Sequence, residues 1–297
     1  MKKIKYLIKS LIYKINFIFK SDQLLMLKGQ ELSILNSLRP KINDLHDVEF
    51  QVFSQFGDDG IIDYLISNVK ISNRYFVEFG VGDYMESNTR FLLMHRNWSG
   101  FVMDGSEVNM NLLRESLFFW KYDLHCTSAF ITKDNVGQLF ADAQVPERIG
   151  LLHIDLDGND YYIWEQLNVV ADIVIMEYNS IFGNERNIST IYNGSFARNS
   201  SHYSNLYFGA SIGALCYLAE KKGYDFIGTN SAGNNAYFIL KELNFLNVKS
   251  QTDADKRKFR EERDSKGNLI KRKGGDSPET IAGMPVYNVI TGVIETF

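Results

Sequence analysis

Four prolines and two cysteines are all that 297 residues contain of either type, and each scarcity excludes something. So few prolines beside 37 Phe and Tyr exclude a proline-rich disordered chain and describe a packed globular one. With 45% apolar side chains, the length suffices for one large domain or two small ones. Cys126 and Cys216 match no metal or redox spacing, so both read as buried thiols in a reducing cytosol. A net charge of −4 excludes a whole-protein nucleic-acid binder.

Acids are missing from the first 20 residues, MKKIKYLIKSLIYKINFIFK. Ile4, Leu7, Ile8, Leu11, Ile12, Ile15 and Ile18 share one helical face, and six lysines are the only charges. Lys9 and Lys14 interrupt the apolar core that a secretory signal or a spanning helix requires. Such a helix either lies on an anionic membrane surface or packs on protein. The expectation is a cytoplasmic protein, peripheral at the inner face of the cytoplasmic membrane under the first of these alternatives. Residues 23–47 read as a further helical stretch or linker broken at Pro40, so 1–47 forms an N-terminal extension.

From position 48 the pattern changes. Short apolar runs at 75–80, 100–105, 124–132, 150–158 and 171–179 read as strands. Helical patterns at 58–69, 87–98, 107–120, 135–143 and 160–168 surround and separate them, with Ser87 or Asn88 as the N-cap of the second. Alternation of this kind predicts parallel βαβ units in an open, doubly wound α/β sheet. A helix at 209–224, stopped by Gly223, and strands at 224–230 and 234–240 bring the count to seven strands and end a domain over 48–250. Residues 251–297 begin with nine basic and six acidic residues in 26. That run reads either as a solvated loop or frayed helix, or as a lid or docking surface for an anionic acceptor, and the last fifteen residues as packing back on the domain.

What the first strand lacks is the third glycine. YFVEFGVGDYM has Gly80 and Gly82, but Met85 stands where a dinucleotide fingerprint has its last glycine. Glu78 ends an otherwise apolar strand, so its carboxylate needs a donor or cation. An acid-x-Gly-x-Gly strand end is similar to the first motif of S-adenosylmethionine enzymes, where the acid serves the loop and the methionine amino group. Asp104 ends the next strand 24 positions after Gly80, at a spacing suited to ribose hydroxyls. It supports an adenosine ligand without choosing between NAD and S-adenosylmethionine.

Further acids follow at the same sheet edge. HIDLDGND supplies Asp155, Asp157 and Asp160, and MEYN supplies Glu177 and Asn179. Period two places His153, Asp155 and Asp157 on one side of an extended segment. They can act as general base toward an acceptor hydroxyl, with His153 and Asp155 first and Asp157 next. Oxygen ligands here also suit Mg²⁺, or the acids simply cap helices and loops. Glu177, Asn179, and His202 and Tyr203 in the polar loop after the fifth strand, are candidate acceptor contacts.

The run SQFGDDGII, VEFGVGDYMESNT, FVMDGSE, HIDLDGND, VIMEYN, then YFGASIGALCYLAEKKGYDFIGTNSAGNNAYFI and FREERD, resembles the FkbM-like S-adenosylmethionine-dependent methyltransferases associated with bacterial surface polysaccharides. The resemblance covers roughly 50–290. It implies a Rossmann-like, seven-stranded class I methyltransferase sheet, here with an N-terminal amphipathic helical extension. Glu78, Gly80 and Gly82 would form the cofactor loop, Asp104 would hold the ribose, and Gln55 and Asp59 would fold over the methionine end. Asp155, Asp157 and Asp160 are similar to the family's D-x-E-G-x-E, with Asp at both Glu positions. IDLDGNDYY with EYN also looks like the metal site of catechol-type O-methyltransferases, which would make Asp155 and Asn179 Mg²⁺ ligands. The implied reaction is O-methylation of a sugar in a lipopolysaccharide O-antigen or capsule. An NAD-dependent sugar oxidoreductase or epimerase, and a non-catalytic adenosine-binding partner, are the competing readings.

Overall fold

The computed structural model describes residues 21–39, 41–271 and 275–297. The basic stretch at 1–20 and the break at Pro40 lie outside the described residues. Residues 21–37 are helical (α1). Its Gly29, Ser33 and Asn36 face inward, while Leu24, Leu27, Ile34 and Leu35 are exposed. Among the described residues, no helix is long and apolar enough to cross a membrane.

Seven strands form the main sheet: β1 (Tyr75–Phe79), β2 (Ser99–Asp104), β3 (Leu124–Ser128), β4 (Arg148–Ile154), β5 (Val170–Glu177), β7 (Tyr224–Thr229) and β8 (Asn235–Leu240). Their spatial order is β3-β2-β1-β4-β5-β8-β7. The pairings from β3 to β5 are parallel, and β8 runs antiparallel between β5 and β7. Alternating side chains explain why these runs are apolar throughout: both sheet faces are covered. Phe76, Leu151, Ile173 and Tyr237 enter the face covered by α2 (Asp58–Asn68), α3 (Arg90–Arg96) and α4 (Glu107–Glu115). Val77, Phe79, Leu152 and Val174 enter the opposite face, against α5 (Val136–Asp142), α6 (Asp160–Gln166) and α8 (Ile212–Lys222). Each such side chain fully buried contributes about 1.5–3 kcal/mol.

Several sequence expectations change. Seven strands describe the main sheet but not the described chain: β6 (Ile188–Thr190), β9 (Pro285–Asn288) and β10 (Ile294–Thr296) form a second sheet in the order β10-β9-β6. A short 4-residue helix, α7 (Arg198–Ser201), sits nearby. Phe182, Ile188, Leu206, Phe208, Ile281 and Val286 make a core beneath this sheet. Strands this short carry too little alternation to be read from sequence. The N-cap of α3 is Thr89, not Ser87 or Asn88. Cys126 and Cys216 are half-buried, and burial pushes the Cys216 thiol up to about 12.

The charged run after residue 250 is neither solvated throughout nor a frayed helix. Glu262 is fully buried and accepts from Ser277 N (3.0 Å) and Thr280 Oγ1 (2.6 Å). The Arg257 side chain is buried, and Phe259 stacks on Phe56 at 5.0 Å. Arg257, Glu261, Glu262 and Asp276 turn inward onto partners, while Lys256, Lys258, Arg260, Lys266 and Lys271 remain exposed, which is how so polar a segment can pack.

Candidate active site

Strand order reverses between β1 and β4, and the carboxyl ends of the strands open there into a crevice. A cavity of about 390 Å³ occupies it, bounded by Gln55, Gly80, Asp104, Asp155, Glu177 and Arg198. A smaller cavity of about 130 Å³ shares Gln55, Gly80 and Asp155 with it and extends to Glu78, Asn88, His153 and Asn235.

Asp104 holds the glycine loop in place. Its Oδ2 accepts from Gly82 N (2.9 Å), and its Oδ1 accepts from Ser106 N (2.8 Å) and Asn109 Nδ2 (3.2 Å). A carboxylate has about four lone-pair sites, so one on Oδ2 remains for a ligand hydroxyl.

Glu78 is differently placed from the role its motif suggested. It is buried and takes five donors: His153 Nδ1 and Asn88 N on Oε1, Ser87 Oγ, Thr89 N and Thr89 Oγ1 on Oε2. Burial alone would raise its pKa, but the His153 hydrogen bond and charge, with Thr89 and Ser87, hold it below the ordinary value. With its lone pairs filled, Glu78 ties β1 to β4 and α3 rather than meeting an amino group. His153 is consumed by the same pair. Burial would lower its pKa, yet Glu78 raises it, so the ring is favoured in its charged form and is not a free base.

Asp59 also serves the fold. Its Oδ2 accepts from Val52, Phe53 and Ser54 backbone N–H groups and from Ser54 Oγ, at 2.7–2.8 Å. That nest shapes the segment delivering Gln55 to both cavities, whereas Asp59 lines neither. Neighbouring Asp58 is buried too, and accepts from Asn230, Asn235 and Tyr237.

β4 ends at Ile154, so the period-two reading does not reach Asp157, which sits in a turn at φ 54°. Asp160 closes that turn by accepting from Leu156 N (2.6 Å) and Gly158 N (2.9 Å). The turn brings Asp155 and Asp157 to Glu177, with carboxylate oxygens of all three within 4.8 Å of one another. Burial, then the Asp157 charge, pushes the Asp155 carboxyl up to about 7. Burial, then Asp155 and Asp157, pushes Glu177 well above its ordinary value, with Arg198 opposing. Glu177 Oε2 is buried and has no hydrogen-bond partner among the described residues.

Sequence reasoning missed the cation that faces these acids. Arg198 Nη1 donates to Asp157 Oδ1 (2.6 Å) and lies 3.8 Å from Glu177 Oε1; Nη2 pairs with Glu261. Its guanidinium stacks 3.5 Å from the Phe208 ring centroid. Glu261 comes from the FREERD segment and also pairs with Arg257. The charged run therefore supplies one wall of the cavity.

Asn179, expected as a metal ligand or substrate contact, lines neither cavity. It is fully buried, donates to Leu206 O (2.8 Å) and Phe208 O (2.9 Å), and accepts from Ile181 N (3.1 Å). Glu177 takes its place beside Asp155. His202 bonds Ser204 Oγ (2.7 Å) and packs against Tyr203 with the rings tilted by 35°, and neither ring lines the cavity.

The chain matches no family model and no curated protein. It is similar to solved structures of an S-adenosylmethionine-dependent methyltransferase from Clostridium acetobutylicum (12% identity, 46% of this chain and 56% of that one, TM-score 0.32). Others are an O-methyltransferase from Bacillus cereus in complex with SAH (13%, 72% and 89%, TM-score 0.39) and a putative O-methyltransferase from Klebsiella pneumoniae (9%, 73% and 89%, TM-score 0.38). Likeness at that level carries nothing about ligand or substrate. The strand order itself identifies the architecture as the mixed seven-stranded, Rossmann-like sheet of class I methyltransferases.

Proposed function

We propose that the protein is an S-adenosylmethionine-dependent methyltransferase that O-methylates a sugar of a bacterial surface glycan, as its FkbM-like motifs suggest. The observation that carries the cofactor reading is the charge of the cavity. Asp104, Asp155, Asp157, Glu177 and Glu261 line it, against Arg198 alone. A pyrophosphate would be repelled there, whereas a sulfonium cation is favoured. Adenosine would lie against Ala129, Phe130 and Ile131 with its ribose on Asp104.

Methyl transfer forms a bond from the acceptor oxygen to the methyl carbon and breaks the bond from that carbon to sulfur. The hydroxyl proton goes to a carboxylate. Asp155, raised to about 7, is matched to that task near neutral pH. Arg198 fixes Asp157 and Glu261, leaving Asp155 and Glu177 for the acceptor. Three clustered carboxylates and the orphaned Glu177 oxygen also suit a divalent cation, which when bound would orient and acidify the hydroxyl.

Calorimetric titration with S-adenosylhomocysteine and NAD in parallel tests the cofactor. The expected result is binding of the first alone; preference for NAD would sink the reading. The acceptor is tested by transfer of labelled methyl to lipid-linked glycans. A peripheral place at the membrane fits such an acceptor and the exposed leucines of α1. Deleting residues 1–20 is expected to abolish co-sedimentation with anionic vesicles, and unchanged sedimentation would remove the membrane role.

A further inference from the structure

The smaller cavity raises a question that the glycine loop does not answer. If adenosine fills the larger cavity, the smaller one adjoins it and is placed to receive the amino-acid end of the cofactor, because Gln55, Gly80 and Asp155 line both. An α-ammonium group buried there needs an acceptor. Glu78 has none to offer, since all its lone pairs are taken by His153 and the 87–89 turn.

Asn235, the first residue of β8, lines the same cavity and is buried. Its Nδ2 donates to Asp58 Oδ1 at 3.0 Å. A carboxylate can only accept, so this bond sets which way the amide points. The remaining atom, Oδ1, is therefore an acceptor, and it is buried with no hydrogen-bond partner among the described residues. Asp58 itself is held by Asn230 Nδ2 (3.0 and 3.1 Å) and by the Tyr237 hydroxyl, so the support is rigid. A buried orphan acceptor costs stability unless a ligand supplies the missing donor. Its surroundings select the charge of that donor: Asp58 lies behind it, and Asp155 and Glu86 line the same cavity. With the His153 charge already paired to Glu78, those carboxylates favour an ammonium over an anion at Asn235.

We infer that the smaller cavity is the subsite for the α-amino group of an amino-acid-bearing adenosine ligand, with Asn235 Oδ1 as its acceptor and Asp58 as the residue that positions the amide. The inference rests on the cofactor reading above and deepens it. It moves recognition of the amino group from the first strand to β8, a strand 157 positions away from Glu78.

The test compares three ligands on the full chain by calorimetry: S-adenosylhomocysteine, its analogue lacking the amino group, and 5′-methylthioadenosine, which lacks the whole tail. In the wild type, S-adenosylhomocysteine should bind about 10- to 100-fold more tightly than the deamino analogue, the scale of a hydrogen bond to a charged group. Asn235→Leu should remove that preference and leave 5′-methylthioadenosine affinity within about twofold, which also shows that the variant folds. Equal losses for S-adenosylhomocysteine and the deamino analogue would overturn the assignment. So would a wild type that binds 5′-methylthioadenosine as tightly as S-adenosylhomocysteine, although the cofactor pocket would then stand. A wild type that binds none of the three would instead overturn the cofactor reading itself.

Discussion

Gly80→Ala is expected to abolish S-adenosylhomocysteine binding, by more than about 100-fold, and to cost at least about 3 kcal/mol of stability. Gly80 has φ +73°, and a Cβ there would lie 1.8 Å from the carbonyl oxygen of Asp155. That oxygen belongs to backbone, so it cannot swing aside as a side-chain end could. Either the loop lifts from the sheet or the β4 turn carrying Asp155 moves, and both reshape the cavity. Gly82 is the control. Its φ is +55°, but no heavy atom lies within 4 Å of an added Cβ. Gly82→Ala should therefore cost only the left-handed conformation, about 1–2 kcal/mol. Urea unfolding of both variants, with calorimetric titration of each, separates the two effects. Equal tolerance of the two substitutions would show that the loop does not press on β4.

Asp155→Asn should have opposite effects on activity and stability. As the base, Asp155 is expected to contribute about 10²- to 10⁴-fold to methyl transfer, and the wild-type rate should rise with pH and level off above about 7. Asparagine removes both the rate and that pH dependence. Stability runs the other way. A carboxyl raised from 3.8 to about 7 holds its proton more tightly when folded than when unfolded. Its favourable contribution is complete below its unfolded pKa and is lost as pH rises through about 7. Asparagine mimics the neutral form at every pH. The variant should therefore match the wild type near pH 4 and exceed it at pH 8, by roughly 1–3 kcal/mol or a few degrees in Tm. Calorimetric scans at the two pH values need no substrate. A variant less stable than the wild type at pH 8 would show that Asp155 is a structural anion, paired and charged, and not a poised base.

These expectations show where sequence and structure divide. The glycine loop, its strand and Asp104 were legible because their chemistry is local: a buried strand, a turn requiring positive φ, and an acid at the next strand end. Asp155 and Glu177 were legible for the same reason, as polar residues ending apolar runs. Their neighbours looked alike and proved different. Glu78, Asp160 and Asn179 also end strands or begin helices, yet backbone or side-chain donors bond their oxygens; Asp59 keeps one buried oxygen without a partner but lines neither cavity. No spacing rule distinguishes a side chain bonded within the fold from one that faces the cavity. The second sheet escaped notice because its strands are only three and four residues long.

The sequence by itself determined the α/β alternation, the crevice at the carboxyl ends and the acidic character of its rim. Periodicity and turn chemistry act within a few residues, and these features need no more than that. Tertiary structure decided which groups remain free to react. Arg198 reaches Asp157 across 41 positions, and Asn235 reaches Asp58 across 177. Glu261 meets Arg198 across 63. Hydrogen bonds and desolvation set the protonation and availability of each group, and both depend on partners that only chain closure brings together.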